Sequence, residues 1–263
     1  MPLIDPSRLP ALLGSAASRF DVDSLDACDS TSSELARRAD AGAPCGTVIV
    51  ADSQNAGRGR RGRSWLSSPE GSLTFSLLWR LAGPAAGLAG LSLAVGVALA
   101  EALETLGATR VRLKWPNDVL LDYGTGPAKL AGILVELATD RRGTQAVIGI
   151  GLNLKTPGED LPQPAAGLMD DLAGLPDRHL VLASILVSLA GVLDKFEAGG
   201  FSALRSAWEC RHAWQGRQVR VMQDGVVDGE GVCLGVDVDG ALLVETPVCI
   251  KRFLAGDVSL RLR

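Results

Sequence analysis

The stretch KLAGILVELATDRRGTQAVIGIGLNL, residues 129–154, contains two long apolar runs with a short polar segment between them. Apolar runs that are rich in isoleucine, leucine and valine and bounded by turn residues predict β-strands. Because the polar segment is short, we expect the two strands to pair as a hairpin around Asp140 to Gly143. Similar runs occur upstream as GTVIVA (46–51), SLTFSLLW (72–79) and TRVRLKW (109–115). The region from about residue 45 to 155 therefore predicts a sheet.

A long uncharged segment interrupts these strands. The 20 residues from Leu81 to Ala100 carry no charged side chain, and this length would suffice to cross a bilayer. However, alanine and glycine dominate the segment, Pro84 lies near its start, and a helical pattern continues into EALETLG. We therefore expect a buried amphipathic helix that ends near Gly107, and no membrane span.

The regions on either side differ in pattern. Residues 1 to about 44 are polar and are predicted to be mostly helical. A loop at PGEDLPQPAAG (157–167) precedes a long helix that begins at Arg178, and a shorter helix follows from Phe201. After Gly216, short strands alternate with turn residues, which is typical of a small antiparallel barrel.

These patterns predict an α+β fold with two domains. Residues 1–215 would form a mixed or antiparallel sheet with helices on one side, and residues 216–263 would form the small C-terminal β-barrel. The composition, 47% hydrophobic and 21% charged over 263 residues, is that of a soluble globular protein.

The cysteines and the N-terminus indicate the compartment. The five cysteines show no Cys-x-x-Cys pair, and there are only two histidines, so no metal site is predicted and reduced thiols are the simplest interpretation. The N-terminal residues lack the basic segment and long apolar core of a secretory signal. A cytoplasmic location follows as an expectation.

The loop GRGRRGR, residues 57–63, places four arginines among three glycines in a chain whose net charge is −4. Because the positive charge is local, it favours capture of one anionic ligand over binding of a polyanion. Arginine forks suit phosphate and carboxylate groups, and glycines let a backbone wrap around a ligand. Two alternatives stay open on this motif alone: a mobile surface loop with solvated charges, and a nucleic-acid-binding module. The second would require aromatic platforms on a broad basic face, but the chain is acidic and Tyr123 is its only tyrosine.

Two of the five lysines lie inside the predicted sheet, Lys114 in KWPNDVLL and Lys129 in KLAGILVE. Pro116, Asn117 and Asp118 favour a sharp turn, which would bring an amide, a carboxylate and a lysine to one strand end. Each lysine could equally be an exposed charge at a strand end, and the turn residues could serve only to fix the backbone. No Gly-Lys dipeptide occurs, which excludes a P-loop.

Taken together, the motifs resemble those of one family. CDSTS (28–32), SQNAGRGRRGRSW (53–65), KWPNDV (114–119), KLAGILVE (129–136) and GIGLNL (149–154) occur in this order. Over about residues 25–263 the chain resembles the biotin protein ligases. The resemblance implies a class II synthetase-like catalytic domain with a C-terminal SH3-like barrel. It also implies that biotin reacts with ATP and Mg²⁺ to form biotinyl-5′-AMP, and then passes to a lysine of a biotin carboxyl carrier protein domain.

The resemblance also assigns residues to roles by position. The catalytic residues would be Lys129, Arg60 and Lys114. Biotin would be bound by Ser30, Thr31, Ser32, Gln54, Arg58, Gly59, Arg60, Lys129 and Gly132. ATP and the adenylate would be bound by Arg58, Arg61, Arg63, Trp65, Lys114, Asn117, Asp118 and Asn153. Trp65, Gly132 and Leu134 would form an apolar wall for the biotin ring, and Ser32 stands where the family commonly has asparagine.

The main alternative is a lipoate or octanoate protein ligase, because its catalytic domain is related and its chemistry also uses an acyl-adenylate. The loop GRGRRGRSW and the C-terminal barrel favour biotin. Only about 24 residues precede the resemblance, too few for the winged helix-turn-helix of members that repress biotin genes. We therefore expect a ligase that is a monomer or homodimer and has no nucleic-acid or membrane partner.

Overall fold

The structure is a computed structural model that describes residues 2–81, 85–140, 143–158, 161, 163–174, 176–223, 225–256 and 258–262. Pro84 lies outside the described residues, and so do residues 141–142, which belong to the predicted hairpin turn. The helices are α1 (Leu9–Leu13), α2 (Thr31–Asp40), α3 (Leu91–Thr105), α4 (Arg178–Gly199) and α5 (Arg205–Glu209). The strands of the first part are β1 (Asp21–Cys28), β2 (Thr47–Gln54), β3 (Ser72–Leu81), β4 (Val111–Lys114), β5 (Asp118–Asp122), β6 (Pro127–Asp140) and β7 (Gly143–Asn153). Those of the second part are β8 (Gln218–Gln223), β9 (Val226–Val236), β10 (Leu242–Glu245), β11 (Ile250–Phe253) and β12 (Val258–Leu262).

Seven strands form the large sheet, in the order β1-β2-β3-β7-β6-β5-β4. β1 and β2 run parallel, and the other neighbouring strands run antiparallel. The predicted hairpin is confirmed as β6 and β7, whose register pairs Asp140 with Gly143. With β3, this hairpin forms the centre of the sheet.

The two faces of the sheet differ because side chains alternate along each strand. On β3, Leu73, Phe75 and Leu77 belong to the main core together with α3 and α4. On the opposite face, Leu35 of α2 packs in a separate small cluster that includes Ile49. The predicted α+β class is confirmed: both long helices lie on one side, and the short helix α2 is an addition on the other.

The two long helices form the centre of the core. α3 begins at Leu91, and 11 of its 15 residues are buried, so it is enclosed on nearly all sides instead of amphipathic. The reason is its position between the sheet and α4. α4 is long and apolar enough to cross a membrane, but 61% of its apolar stretch is buried inside the protein. The apolar side chains of α4 are therefore explained by their packing in the protein core.

Residues 1 to about 44 were predicted to be mostly helical, but this prediction is incomplete. Asp21–Cys28 forms the strand β1 at one edge of the sheet. The sequence DVDSLDAC has no apolar run, and its residues are partly or fully exposed. As an edge strand, β1 packs only Val22 and Leu25 against the two clusters, and its pairing with β2 comes from the backbone. The short helix expected from Phe201 is α5, which follows a single 3₁₀ turn at Phe201–Ala203.

The C-terminal strands form a five-stranded antiparallel sheet in the order β11-β10-β9-β8-β12. This sheet contacts the first part beside the KWPND turn, where the Trp115 indole donates a hydrogen bond to the Gly240 carbonyl over 3.1 Å. Gly90 and Gly240 also meet at this contact, with φ values of 81° and 80°. A Cβ on Gly240 would lie 3.0 Å from the Gly90 Cα and 2.9 Å from the Leu93 side chain.

Candidate active site

A cavity of about 580 Å³ lies on the face of the sheet opposite α3 and α4. The start of α2, the arginine loop, the KWPND turn and β12 of the C-terminal sheet contribute to its wall. The structure brings all the predicted site residues to this wall: Ser30, Thr31, Ser32, Gln54, Arg58, Gly59, Arg60, Arg61, Arg63, Trp65, Lys114, Asn117, Asp118, Lys129, Gly132, Leu134 and Asn153. Motifs that are far apart in the chain therefore meet at one place.

A floor of glycines lies under this cavity and lets the Trp65 ring pack directly on the sheet. A Cβ on Gly151 would lie 2.2 Å from the Trp65 ring, and one on Gly132 would lie 3.2 Å from the same ring. The side-chain alternation of GIGLNL turns Ile150 into the core and the glycines toward the cavity. Two rows of paired residues cross β6, β7 and β3 here: Gly132–Gly151–Thr74 and Leu134–Gly149–Ser76.

One end of the floor carries buried hydroxyl and amide groups. The Thr31 backbone N–H and hydroxyl both donate to Oε1 of Gln54, over 2.7 and 3.2 Å. The Ser76 hydroxyl donates to Oγ1 of Thr31 over 2.9 Å and lies 3.0 Å from the Ser32 hydroxyl. Ser30 precedes α2 and is also buried. These groups offer hydrogen bonds to a polar head group beside Gly149.

Asp29 fixes the chain just before these residues. Both of its carboxylate oxygens accept hydrogen bonds from Arg37, each over 2.9 Å, and Oδ1 also accepts from the Ser30 N–H over 2.7 Å. The hydrogen bonds from Arg37 and from the backbone lower the pKa of Asp29 from 3.8 to about 2. The carboxylate is therefore ionised across the neutral pH range and holds the start of α2 in place.

The other end of the floor carries a buried charge cluster. Asp118 lies between two lysines, with its oxygens 2.6 Å from Lys129 Nζ and 3.5 Å from Lys114 Nζ. Burial alone would raise the pKa of Asp118, but the two lysines outweigh burial and hold that pKa below its ordinary value. Burial lowers the pKa of Lys114, and Asp118 offsets this only in part. The carboxylate thus keeps two cationic groups close together beside the cavity.

The arginine loop is closed at its base by backbone hydrogen bonds. The Trp65 N–H donates to the Gly57 carbonyl over 2.9 Å, and the Gly59 N–H donates to the Arg63 carbonyl over 2.7 Å. A Cβ on Gly57 would lie 2.4 Å from the Trp65 carbonyl oxygen, so this close approach requires glycine. At the tip, Arg61 adopts a left-handed conformation with φ of 61°.

Two of the loop arginines join the loop to other parts of the protein. Arg58 pairs with Glu136 of β6. Arg60 donates one hydrogen bond to the Asn117 side chain over 2.9 Å and another to the Gly256 carbonyl of the C-terminal part. The loop therefore spans the cavity and contacts both the large sheet and the C-terminal sheet.

The two amides of the predicted nucleotide site bond to backbone. The Asn117 amide donates to the Ile133 carbonyl over 2.9 Å. The buried Asn153 amide donates to the carbonyls of Lys129 and Ala166, over 3.3 and 3.2 Å. Both side chains therefore hold the wall in shape, and Asn153 attaches the segment after β7 to β6 next to Lys129.

Sequence reasoning missed several residues of the wall. Thr74 and Arg261 lie in strands that read as ordinary apolar or alternating runs, so no motif marks them. Leu161, Gln163 and Ala165 come from the PGEDLPQPAAG segment, which was predicted only as a loop. All five line the cavity. Among the described residues, no cluster of three or more His, Cys, Asp and Glu side chains could hold a metal ion.

Comparison with known proteins gives matches over almost the whole chain. The model of the Biotin/lipoate A/B protein ligase family matches residues 28–153, and that of the Biotin protein ligase C terminal domain matches residues 216–261. The bifunctional ligase/repressor BirA of Salmonella typhimurium is 39% identical over 267 residues, which cover 98% of this chain and 79% of that protein. The biotin–[acetyl-CoA-carboxylase] ligase of Mycobacterium tuberculosis is 32% identical over 262 residues, which cover 98% of this chain and 95% of that protein.

A solved structure gives the same result. The biotin protein ligase from Aquifex aeolicus in complex with biotin and ATP has a TM-score of 0.78 and 32% sequence identity to this chain. The match covers 92% of this chain and 99% of that one. Since two family models match in order and relatives above 30% identity align over nearly the full length, the chain belongs to the biotin protein ligase family.

Proposed function

We propose that this protein is an ATP-dependent biotin–[biotin carboxyl-carrier protein] ligase. Biotin reacts with ATP to give biotinyl-5′-AMP and pyrophosphate, and a lysine of a carrier domain then displaces AMP to form an amide. Biotin and MgATP are the substrates, and a biotin carboxyl carrier protein domain of a biotin-dependent carboxylase is the partner. The solved relative from Aquifex aeolicus, which is 32% identical, is in complex with biotin and ATP, and this supports the two substrates.

The observation that carries the proposal is the arrangement of three surfaces around one cavity. A hydroxyl and amide cluster at Thr31 and Gln54 adjoins one end of a glycine floor, and Lys129 adjoins the other. This order suits biotin, in which a polar ureido ring is fused to an apolar sulfur-containing ring that carries the carboxylate on an aliphatic chain. The carboxylate would then lie near Lys129, where it meets the α-phosphate of ATP.

The charges at that end suit the first step. As the carboxylate oxygen attacks the α-phosphate, negative charge grows on the phosphate and on the leaving pyrophosphate. Lys129, Lys114 and the loop arginines line this end of the cavity, and positive charge that is fixed in position lowers the barrier. Asp118 is the carboxylate of this cluster and is already engaged by two lysines. Mg²⁺ would therefore enter as MgATP, with phosphate oxygens and water as its main ligands.

The arginine loop would serve the second step. Closure of the loop over the cavity excludes water, which would otherwise hydrolyse the mixed anhydride. Its contacts with Asn117 and Gly256 hold it across the opening. The carrier lysine must then reach the anhydride past this loop, so the loop limits transfer to a docked partner.

The test is a reconstituted ligation. Purified protein, biotin and MgATP should add one biotin to one lysine of a biotin carrier domain, as seen by intact-mass spectrometry. A parallel reaction with lipoate or octanoate and a lipoyl carrier domain tests the related acyl ligases. Acceptance of those acids together with failure of biotin on several carriers would contradict the proposal.

A further inference from the structure

A tryptophan outside every motif contacts one of the two lysines of the site. The Lys114 Nζ lies over the Trp214 ring, 4.8 Å from its centroid. Lys114 is part of the cavity wall, whereas Trp214 belongs to the main core behind that wall and is 7% exposed. Any effect of this ring on a ligand must therefore pass through Lys114.

Backbone hydrogen bonds fix where the Trp214 ring lies. The segment that precedes β8 runs beside β4 as a short parallel extension of the large sheet. The Leu113 N–H donates to the Arg211 carbonyl over 2.8 Å, and the Ala213 N–H donates to the Leu113 carbonyl over 2.9 Å. The Trp214 carbonyl then accepts from the Arg217 N–H over 3.1 Å, just before β8 begins. The ring is thus held against β4 at the junction with the C-terminal sheet.

The charges around Lys114 compensate its ammonium only in part. The side chain is 12% exposed, and burial lowers the pKa of Lys114. Three charged groups act on it: Asp118 of β5 favours the charged form, whereas Lys129 of β6 and Arg261 of β12 repel it. The Asp118 carboxylate lies 2.6 Å from Lys129 Nζ but 3.5 Å from Lys114 Nζ, so it serves Lys114 less well. The face of an aromatic ring carries partial negative charge and attracts a cation that has been taken out of water.

We propose that Trp214 is a positioning residue for adenylate formation, and that its ring holds the Lys114 ammonium charged and in place at the wall of the cavity. The inference rests on the proposed function, in which Lys114 stabilises the negative charge that grows on the phosphates. A second carboxylate beside Lys114 would also hold the ammonium, but it would cancel the positive charge that the phosphates require. A neutral ring holds the ammonium and leaves that charge intact.

The first test measures the charge state of Lys114 without any substrate. Competitive acetylation with a trace of acetic anhydride, followed by peptide mass spectrometry, gives the pH at which each lysine loses its proton and becomes reactive. In Trp214→Leu, we expect Lys114 to become reactive about one pH unit lower than in the wild type, because the ring no longer favours the ammonium. Trp214→Phe keeps an aromatic face and should recover most of this difference.

Two controls accompany the labelling. Lys251, which pairs with Asp228 in the C-terminal sheet, should react identically in all the proteins. Trp208→Leu removes another buried ring, one that packs on His212, and should leave the reactivity of Lys114 unchanged even where it lowers the melting temperature. An unchanged Lys114 profile in Trp214→Leu would overturn the inference, whether or not the protein is a ligase. If Trp214→Leu does not fold, Trp214→Met gives the same comparison.

The second test is a double-mutant cycle on pyrophosphate release at saturating biotin and MgATP. Trp214→Leu should lower kcat about tenfold, and its rate should fall at a lower pH than that of the wild type as the pH rises. In a Lys114→Ala background the same substitution should cause no further loss, because the ring then has no ammonium to hold. Equal losses with and without Lys114 would show a purely structural role and overturn the inference. Absence of biotin-dependent pyrophosphate release by the wild type would instead contradict the proposed function.

Discussion

At the scale of single residues, Asp118 decides how much positive charge the site can hold. Two lysines with nitrogens within 3.5 Å of one carboxylate would repel each other without it. The KWPND turn could be predicted from its proline, asparagine and aspartate. The pairing of Asp118 with Lys129 could not, because it depends on the register of β5 against β6, which includes an irregularity between Val119 and Leu120.

Lys129→Ala should slow formation of the adenylate by about two to three orders of magnitude, the usual effect of removing one electrostatic contact with the transition state. Pyrophosphate release at saturating ATP measures this step. Lys251→Ala is the control, because Lys251 also pairs with an aspartate, Asp228 at 2.7 Å, but lies in the C-terminal sheet. A Lys129→Ala protein that folds and forms adenylate at the wild-type rate would contradict the role of Lys129.

Asp29 gives a prediction about acid. Its pKa in the folded protein, about 2, lies below the ordinary 3.8, so its stabilising effect is present above pH 3.8 and is lost as pH falls toward 2. The melting temperature of Asp29→Asn should therefore lie below that of the wild type at neutral pH, and the gap should close as the pH falls through this range. Asp40→Asn, at the other end of α2, serves as the control. A gap that persists unchanged at pH 2 would show that Asp29 does not act through its charge.

At the scale of elements, the arginine loop connects three parts of the protein through side chains. Its glycines and arginines could be predicted as an anion-binding loop from the sequence alone. The contacts of Arg58 with Glu136 and of Arg60 with Asn117 and Gly256 could not, because they depend on β6 and the C-terminal sheet. The strand β1 also could not be predicted from the sequence, because it pairs with β2 through the backbone and its side chains show no apolar pattern.

Arg60→Gly should still form biotinyl-5′-AMP but release it early. The lost charge-assisted hydrogen bonds contribute about 1.5–3 kcal/mol, which corresponds to a roughly tenfold to hundredfold faster escape. Streptavidin blotting of albumin mixed with the enzyme, biotin and MgATP detects the released adenylate. Arg252→Ala is the control, because Arg252 binds Asp237 and Asp239 outside the cavity. Equal and faint albumin labelling by Arg60→Gly and wild type, with adenylate formed in both, would refute retention by Arg60.

At the scale of the whole molecule, the C-terminal sheet is part of the site. Composition and turn spacing predicted its strands. They gave no sign that β12 would line the cavity or that Gly240 would face Gly90, because contacts between distant segments leave no local pattern. The family resemblance supplied the proposed roles of the motif residues, whereas Thr74, which also lines the cavity, lies outside every motif.

Gly240→Ala tests this contact. Alanine at a φ of 80° costs about 1–2 kcal/mol, and the added methyl would also press on Gly90 and Leu93. Gly225→Ala is a matched control, because Gly225 has a φ of 83° and open space around it. We expect Gly240→Ala to melt about 2–4 °C lower than Gly225→Ala for each additional kcal/mol of clash. Gly240→Ala should also label albumin more strongly, because the Gly256 carbonyl that binds Arg60 would shift. Identical melting temperatures and albumin labelling in the two variants would show that the contact between Gly240 and Gly90 affects neither stability nor retention of the adenylate.

The glycine floor beneath Trp65 has a consequence for inhibitor design. The Trp65 ring lies directly on Gly132 and Gly151, so an inhibitor that packs on this ring depends on two positions without side chains. A resistance mutation at either glycine must add atoms, since glycine cannot lose any, and the added atoms would push the Trp65 ring into the cavity and exclude the proposed substrate along with the inhibitor. Compounds that extend from the floor toward side chains such as Gln163 or Arg261 would depend on positions where a substitution can remove a contact without displacing the Trp65 ring.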